Sequence, residues 1–423
     1  VVHVWSVILP PGTISKNHIR SECYDEKAYG MRSVTILGST GSIGVSTLDI
    51  IRRRMGEFRA FALVAGKNDR LLADQVKEFR PELVVVETEA TRASLIGRLR
   101  ESGLPASEWP QLEYGRQARV VAATAPECDF VLSAIVGVAG LEATYAAVRA
   151  GKQIGLANKE VLVASGELMM RAAAEAGTEL IPVDSEHNGA HQCLRAGRRQ
   201  DVTRLILTAS GGPFRNTPKE ELAAVTPEQA LNHPTWKMGQ RITIDSATMM
   251  NKGFEVIEAC WLFGLAADEV EVVVHPQSSV HAMVEFNDGS IVAQLSTTDM
   301  RMPIQYALTY PERLEAPVAR MDWTAARTLE FYPPDFEKFP LLGLAYEAQR
   351  AGGSATCTLN AADEIAVEAF LGGKISYPGI AEVVKETLER VPTRRAASVE
   401  EVLETDAASR EMARQIVSEW TGK

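Results

Sequence analysis

"SVTILGSTGSIGVSTLDIIRR", residues 33–53, decides the architecture. An apolar strand over 34–37 runs into three glycines spaced three apart, Gly38, Gly41 and Gly44, and then into an amphipathic helix. Small residues at such a turn let the backbone approach a pyrophosphate. The helix start behind it offers free N–H groups and the positive end of its dipole. The spacing differs from the usual G-x-G-x-x-G, so a plain tight turn is the alternative. The complete strand–helix–strand unit around the motif favours a nucleotide.

Outward from that unit the pattern repeats. "FRAFALVAGKN" (58–68) is a second strand, followed by a helix over 70–79 and a strand over 82–87. Strands over 130–137, 153–158 and about 178–183 then alternate with helices over 140–150 and 160–176. Alternation of this length implies a parallel sheet covered on both faces. Past residue 190 the texture becomes α+β. "VTRLILTASGGPF" and "VEVVVHPQSSVHAMVEFNDGSIVAQLS" read as strands, with a hairpin at Asn287-Asp288-Gly289. Between them lies one expected helix over 246–264, capped at its start by Ser246 and closed by Gly264. "FYPPDFEKFP" (331–340) reads as a linker, and the remainder as helices. The fold class is therefore α/β: an N-terminal Rossmann-like parallel sheet, a central α+β domain and a C-terminal helical bundle.

At 423 residues the chain is too long for one hydrophobic core, and 46% hydrophobic with 23% charged residues is ordinary globular composition. The net charge of −11 argues against a nucleic-acid partner, which would need a basic face. No run reaches the ~18 apolar residues of a membrane span. Five scattered cysteines, none in a C-x-x-C pair, speak against a disulfide framework or zinc site and for a reducing cytoplasm. Residues 1–30 lack a basic start and a cleavage site, and are taken as an extension of unassigned role.

The cofactor is narrowed by Gly66, Lys67 and Asn68 at the end of the second strand. An NAD enzyme places an acid there for the ribose 2′-OH, whereas a lysine suits a 2′-phosphate, so NADPH is favoured over a merely solvated lysine. "IPVDSEHNG" (181–189) sets Asp184 and Glu186 on one side of an extended backbone, where they repel unless a hard cation such as Mg²⁺ or Mn²⁺ lies between them. Glu255, one helical turn from Asn251, is the candidate third acid; a chance D-x-E on a solvated loop is the alternative. Ser210 with the glycine turn behind it, Ser246, Asn251 and Lys252 are candidate phosphate donors. His233 and Trp236 lie in "NHPTWKMG", a loop able to close over a ligand, unless the indole is simply packing. His187 and His191 lack an H-E-x-x-H pattern and suit the helix surface or a place behind the ligands. Asn158, Lys159 and Glu160 stand at the carboxyl end of a parallel strand, where doubly wound sheets bind ligands.

Together "LGSTGSIG", "ANKE", "VDSEHN", "SGGPF", "HPTWKMG", "SATMMNKGFEVIEA" and "LNAADEIAV" closely resemble the 1-deoxy-D-xylulose 5-phosphate reductoisomerase family, from about Met31 to the last helices. The resemblance implies an NADPH- and metal-dependent cytoplasmic homodimer that acts on a small-molecule sugar phosphate in isoprenoid precursor synthesis. It implies an NADPH-binding domain over 31–183, a catalytic domain over 184–330, a linker over 331–340 and a helical domain over 341–423. Thr40, Gly41, Ser42, Ile43, Gly66, Lys67, Asn68, Asn158, Glu160 and Gly239 would contact NADPH. Asp184, Glu186 and Glu255 would hold the metal, and Lys159 and His233 would join them in catalysis. Substrate contacts would come from Lys159, Ser185, Glu186, Ser210, His233, Trp236, Met238, Ser246, Asn251, Lys252 and Glu255. Lys67, Lys159 and Lys252 would offset the chain's net negative charge locally. Two rivals are a semialdehyde-type dehydrogenase, which needs a cleft cysteine, and a non-catalytic NADP-binding sensor, which would show no metal-dependent turnover.

Overall fold

A computed structural model describes residues 31–421 apart from Thr235 and Lys237, so the extension 1–30 lies outside the described residues. In chain order its first half contains β1 (Arg32–Leu37), α1 (Ser42–Arg53), β2 (Phe58–Val64), α2 (Asp69–Phe79), β3 (Leu83–Val86), α3 (Glu89–Glu101), β4 (Gln111–Tyr114) and α4 (Gly115–Thr124). There follow β5 (Phe130–Ser133), α5 (Leu141–Arg149), β6 (Gln153–Leu156), α6 (Glu160–Ala176) and β7 (Leu180–Pro182). These seven strands are all parallel, in the order β4-β3-β2-β1-β5-β6-β7. Both faces are covered: Val34, Ile36 and Leu132 pack on one side, Leu37, Val131 and Ile154 on the other. Burial on two faces is why the strands read as unbroken apolar runs. The winding reverses between β1 and β5, which opens a crevice at the carboxyl ends of those strands.

The expected strand over 130–137 stops at Ser133. Gly137 takes φ +70°, and the buried Asn158 amide holds its carbonyl at 2.9 Å, so the chain turns instead of extending.

The second half begins with α7 (Ser185–Leu194), β8 (Val202–Ala209), α8 (Pro227–Ala230), α9 (Gln240–Ala247), α10 (Met250–Phe263), β9 (Val270–Val274), β10 (Val280–Phe286), β11 (Ile291–Leu295) and α11 (Arg301–Thr309). Its four strands run in the order β11-β10-β8-β9; β10 and β11 form the hairpin expected at Asn287–Gly289. After a segment without regular helices come α12 (Pro340–Ala351), α13 (Ala355–Leu371), α14 (Tyr377–Arg390) and α15 (Val399–Thr421). Leu205 and Leu207 of the second sheet share one hydrophobic core with Phe254, Leu342, Leu359 and Ile416. Among the described residues no helix is long and apolar enough to cross a membrane.

Two local expectations are corrected. The single helix over 246–264 is broken, because Met249 adopts the left-handed conformation (φ +62°) and starts α10 afresh. Ser246 is therefore near the end of α9 and caps no helix start. The backbone after Asp184 is not extended either: α7 begins at Ser185, with Asn188 N–H donating to the Asp184 carbonyl at 2.8 Å.

Candidate active site

The glycine turn works by close approach. Gly38 lies at φ +98°, and a Cβ there would stand 2.5 Å from the Ala134 carbonyl oxygen. A Cβ on Gly44 would stand 2.3 Å from the Gly38 oxygen, so α1 is drawn hard against the turn. Gly41 precedes α1 without a side-chain cap, which leaves the first N–H groups of the helix facing the crevice. Thr40 to Ile43 form this edge. Gly66, Lys67 and Asn68 follow β2, where Asn68 also caps α2 through Leu71 N–H at 3.2 Å.

Ser42 and Ile43 border a cavity of about 400 Å³ whose other walls come from the turn after β6, from α7, β8, α9, α10 and β10, and from the residues before α11. Lys159, Asp184, Ser185, Glu186, Ser210, His233, Trp236, Met238, Gly239, Ser246, Asn251, Lys252 and Glu255 all line it. Thr40, Gly66, Lys67, Asn68, Asn158 and Glu160 do not line it. The sequence missed Ser278, His281 and Met300, which also line the cavity. His281 is a buried polar residue inside β10, hydrogen-bonded through Nε2 to Ser296 Oγ at 2.9 Å, and its place between Val280 and Ala282 in a β-branched run was the available signal.

Carboxylate oxygens of Asp184, Glu186 and Glu255 lie within 4.8 Å of one another. Two ammonium groups thread them. Lys252 Nζ donates to Glu186 Oε1 at 2.8 Å and also to Glu255. Lys159 Nζ pairs with Asp184, donates to Asn251 Oδ1 at 2.8 Å and lies 3.3 Å from Glu255 Oε1. Asn251 Nδ2 donates to Glu255 Oε1 at 2.6 Å, the one-turn contact that the spacing required. Ser185 Oγ donates to Glu186 Oε2 at 2.5 Å.

The titration pattern follows from this wiring. Burial and the charge of Glu186 push Glu255 up to about 7 despite its lysine partners. Burial acts the same way on Asp184, but the charges of Lys159 and His187 outweigh it and hold that carboxyl well below the usual range. Burial would discharge Lys159 and Lys252; the surrounding carboxylates reverse this and raise both. Three hard oxygen donors that converge in this way are the donor set of a divalent cation such as magnesium.

A second acidic grouping adds His187 and Glu258 to Asp184. His187 Nε2 contacts the Glu255 carbonyl at 2.8 Å, and Nδ1 lies 3.0 Å from Glu258 Oε2 without hydrogen-bond alignment. The ring thus sits behind the carboxylates, hydrogen-bonded through Nε2 and facing the Glu258 carboxylate through Nδ1. Burial opposes charge on this ring, yet Glu258 prevails and raises it to about 9. His191 turns away to Tyr306, whose hydroxyl it meets at 2.8 Å.

Across the cavity His233 Nε2 meets Ser210 Oγ at 3.1 Å, and its Nδ1 accepts from Trp236 N–H at 2.9 Å. Burial lowers the imidazole's pKa, so at neutral pH the ring is uncharged and its proton sits on Nε2, facing Ser210. Cysteines 128, 193, 260 and 357 are buried, and none lines the cavity among the described residues, which disfavours a thiol mechanism.

Family models match three stretches. Residues 34–166 match 1-deoxy-D-xylulose 5-phosphate reductoisomerase, 180–263 match its C-terminal domain, and 295–412 match a DXP reductoisomerase C-terminal domain. The chain is 64% identical over 388 residues to the 1-deoxy-D-xylulose 5-phosphate reductoisomerase of Solibacter usitatus, covering 92% of this chain and 98% of that protein. With the Cupriavidus necator protein of the same name it is 50% identical, over 93% of this chain and all of the other. Among solved structures, the Zymomonas mobilis reductoisomerase in complex with NADPH superposes with a TM-score of 0.85 at 45% identity, covering 92% and 99% of the two chains. A DOX-P reductoisomerase in complex with NADPH, fosmidomycin and magnesium superposes equally at 40% identity, covering 92% and 98%.

Proposed function

The chain belongs to the 1-deoxy-D-xylulose 5-phosphate reductoisomerase family, and from that premise we propose the following assignment of chemistry to its residues. The enzyme converts 1-deoxy-D-xylulose 5-phosphate to 2-C-methyl-D-erythritol 4-phosphate, with NADPH as reductant and Mg²⁺ as metal. The observation that carries the assignment is the convergence of Asp184, Glu186 and Glu255 in a cavity bordered by the start of α1.

When bound, the divalent ion supplies Lewis acidity toward the substrate's carbonyl, and NADPH supplies the hydride that reduces the rearranged, branched aldehyde. Asp184, Glu186 and Glu255 hold the ion. Lys159, which contacts Asp184, Asn251 and Glu255, acts as a fixed cation that stabilises negative charge developing on substrate oxygen. Ser210 and His233, already hydrogen-bonded to each other, present hydroxyl and Nε2–H donors to the phosphate, together with Ser246, Asn251 and Lys252. Trp236 and Met238 cover the substrate and exclude water, and Gly239 lets the loop come close to the nicotinamide. Thr40 to Ile43 seat the pyrophosphate, Gly66 to Asn68 the adenosine 2′-phosphate, and Asn158 and Glu160 the nicotinamide side.

The division into 31–183 for the nucleotide, 184–330 for catalysis and 341–423 for the helices belongs to the same reading. So do a homodimeric state, activity with Mn²⁺ beside Mg²⁺, and a cytoplasmic location. Free buried thiols are in keeping with a reducing compartment.

Two experiments test the assignment. NADPH oxidation with the phosphorylated ketose should vanish with a chelator and return with Mg²⁺ or Mn²⁺; turnover that survives thorough chelation would remove the metal from the mechanism. Gly44→Ala should weaken NADPH binding by at least about tenfold in a fluorescence titration, because the new methyl has only backbone to displace. Parental affinity in the folded variant would show that close approach is not required.

A further inference from the structure

We propose that Arg241 is a positioning residue of this enzyme: through a buried polar cluster it fixes α9, and so the substrate-loop end and Ser246, against the cofactor side of the crevice. The inference rests on the functional reading above and adds a role for α13, which lines no part of the cavity among the described residues.

Arg241 is the second residue of α9, two beyond Gly239, where the loop over 232–239 ends. Its side chain is 15% exposed and does not line the cavity. Nη1 donates to Glu364 Oε2 at 2.8 Å and Nη2 to Asn360 Oδ1 at 2.8 Å, both on α13. Asp363 Oδ2 lies 3.5 Å from Nη2, and the guanidinium carbon stands 5.9 Å from the centre of the Phe254 ring of α10. On the cofactor side, Glu160 Oε1 at the start of α6 is 3.7 Å from Nη1. A Cβ on Gly137 would stand 3.7 Å from Nη1 and 3.5 Å from Glu364 Oε2. Gly137 is the residue whose carbonyl Asn158 holds. One guanidinium therefore bridges α13, the start of α6 and the helix that carries Ser246, close beside the turn after β5.

Its surroundings are over-supplied with acid. Glu160, Asp245, Asp363 and Glu364 all face the guanidinium, and Arg410 of α15 answers from the far side, donating to Glu364 at 2.9 Å and Asp406 at 2.6 Å. Asp245 Oδ1 and both Asp363 oxygens are buried without a hydrogen-bond partner. Burial raises both of these carboxyls; the charge of Asp363 adds to it at Asp245, and that of Glu364 adds to it at Asp363, which rises to about 6. Such a cluster coheres through its planar, five-donor cation, and hydrophobic contact cannot replace that fork. Helix α9 needs the tie. It has eight residues, with a loop before it and the left-handed break at Met249 after it.

The test compares Arg241→Met and Arg241→Lys with the parent enzyme, with Arg350→Met, a surface pair to Asp268, as control. Steady-state kinetics, NADPH fluorescence titration and thermal melts are read for each. For Arg241→Met we expect kcat/KM for the ketose phosphate to fall at least about tenfold and the NADPH Kd to rise several-fold, as small misplacements of reacting groups do. Arg241→Lys should recover part of both, and the control neither. A folded Arg241→Met protein with a lower melting temperature but parental kcat/KM and Kd would make the cluster purely structural and overturn the proposal. Should that variant not fold, Glu364→Gln decides: it keeps Arg241 but slackens its hold on α13. A loss of at least about threefold in kcat/KM supports the proposal, and parental kinetics overturn it. A parent without turnover would sink the functional reading instead, and the NADPH titration would still report on Arg241.

Discussion

Glu255→Gln is expected to lower turnover by about three orders of magnitude while leaving NADPH affinity within about twofold. The magnitude follows from a bound cation contributing several kcal/mol to the barrier, at 1.36 kcal/mol per decade. Glutamine keeps the volume of a side chain that is 1% exposed and removes its charge. Lys252 retains Glu186 at 2.8 Å, and Lys159 retains Asp184 and Asn251, so the fold should persist. The glycine turn and β2, proposed to hold the nucleotide, are untouched. Stopped-flow NADPH oxidation over a Mg²⁺ titration reads the effect. Turnover within tenfold of the parent at saturating Mg²⁺ would remove Glu255 from the metal site. A parallel loss of NADPH affinity would mean that the substitution had disturbed the crevice itself.

How much of this was legible beforehand depended on the range of each interaction. Gly38, Gly41 and Gly44 could be read because the turn they make is local, and the same holds for the one-turn contact from Asn251 to Glu255. The stretch 88–129 was left unassigned. Only Leu95 and Leu99 of α3 are buried, and β4 is a partly exposed edge strand, so neither shows a strong period. Met249 broke an expected helix without a glycine or proline to announce it. Its left-handed backbone is held by tertiary packing, with the side chain 2% exposed. Asp184 and Glu186 were read as repelling each other across an extended backbone; in this structure they stand at the start of a helix, and their positive partners are Lys159 and Lys252. Lys252 reaches Glu186 from 66 residues away and Lys159 reaches Glu255 from 96, separations at which a single sequence carries no pairing signal. Arg241 was invisible for the same reason, its partners on α13 lying 119 and 123 residues on.

Those lysines make the second large prediction. Lys252→Met should destabilise the metal-free protein by roughly 3–5 kcal/mol, the cost of removing one partner of a buried ion pair. The Lys252 side chain is 4% exposed and its ammonium contacts both Glu186 and Glu255; without it two carboxylates face each other with Asp184 close by. Glu255 would answer by retaining its proton. Its folded pKa, raised to about 7 even with Lys252 present, should rise further. A group whose folded pKa lies above its unfolded value stabilises at low pH and loses that contribution as pH rises through the folded value. The deficit in melting temperature relative to the parent should therefore be smallest near pH 5 and widen above pH 7. Mg²⁺ should reverse it, and should raise the melting temperature more in the variant than in the parent, because no ammonium competes for the Glu186 and Glu255 oxygens. Melts from pH 5 to 9 with and without Mg²⁺ read all three effects. If the metal-free variant melts with the parent across that range, Lys252 does not hold the acidic cluster together. If Mg²⁺ stabilises both proteins equally, the lysine and the metal do not share those oxygens.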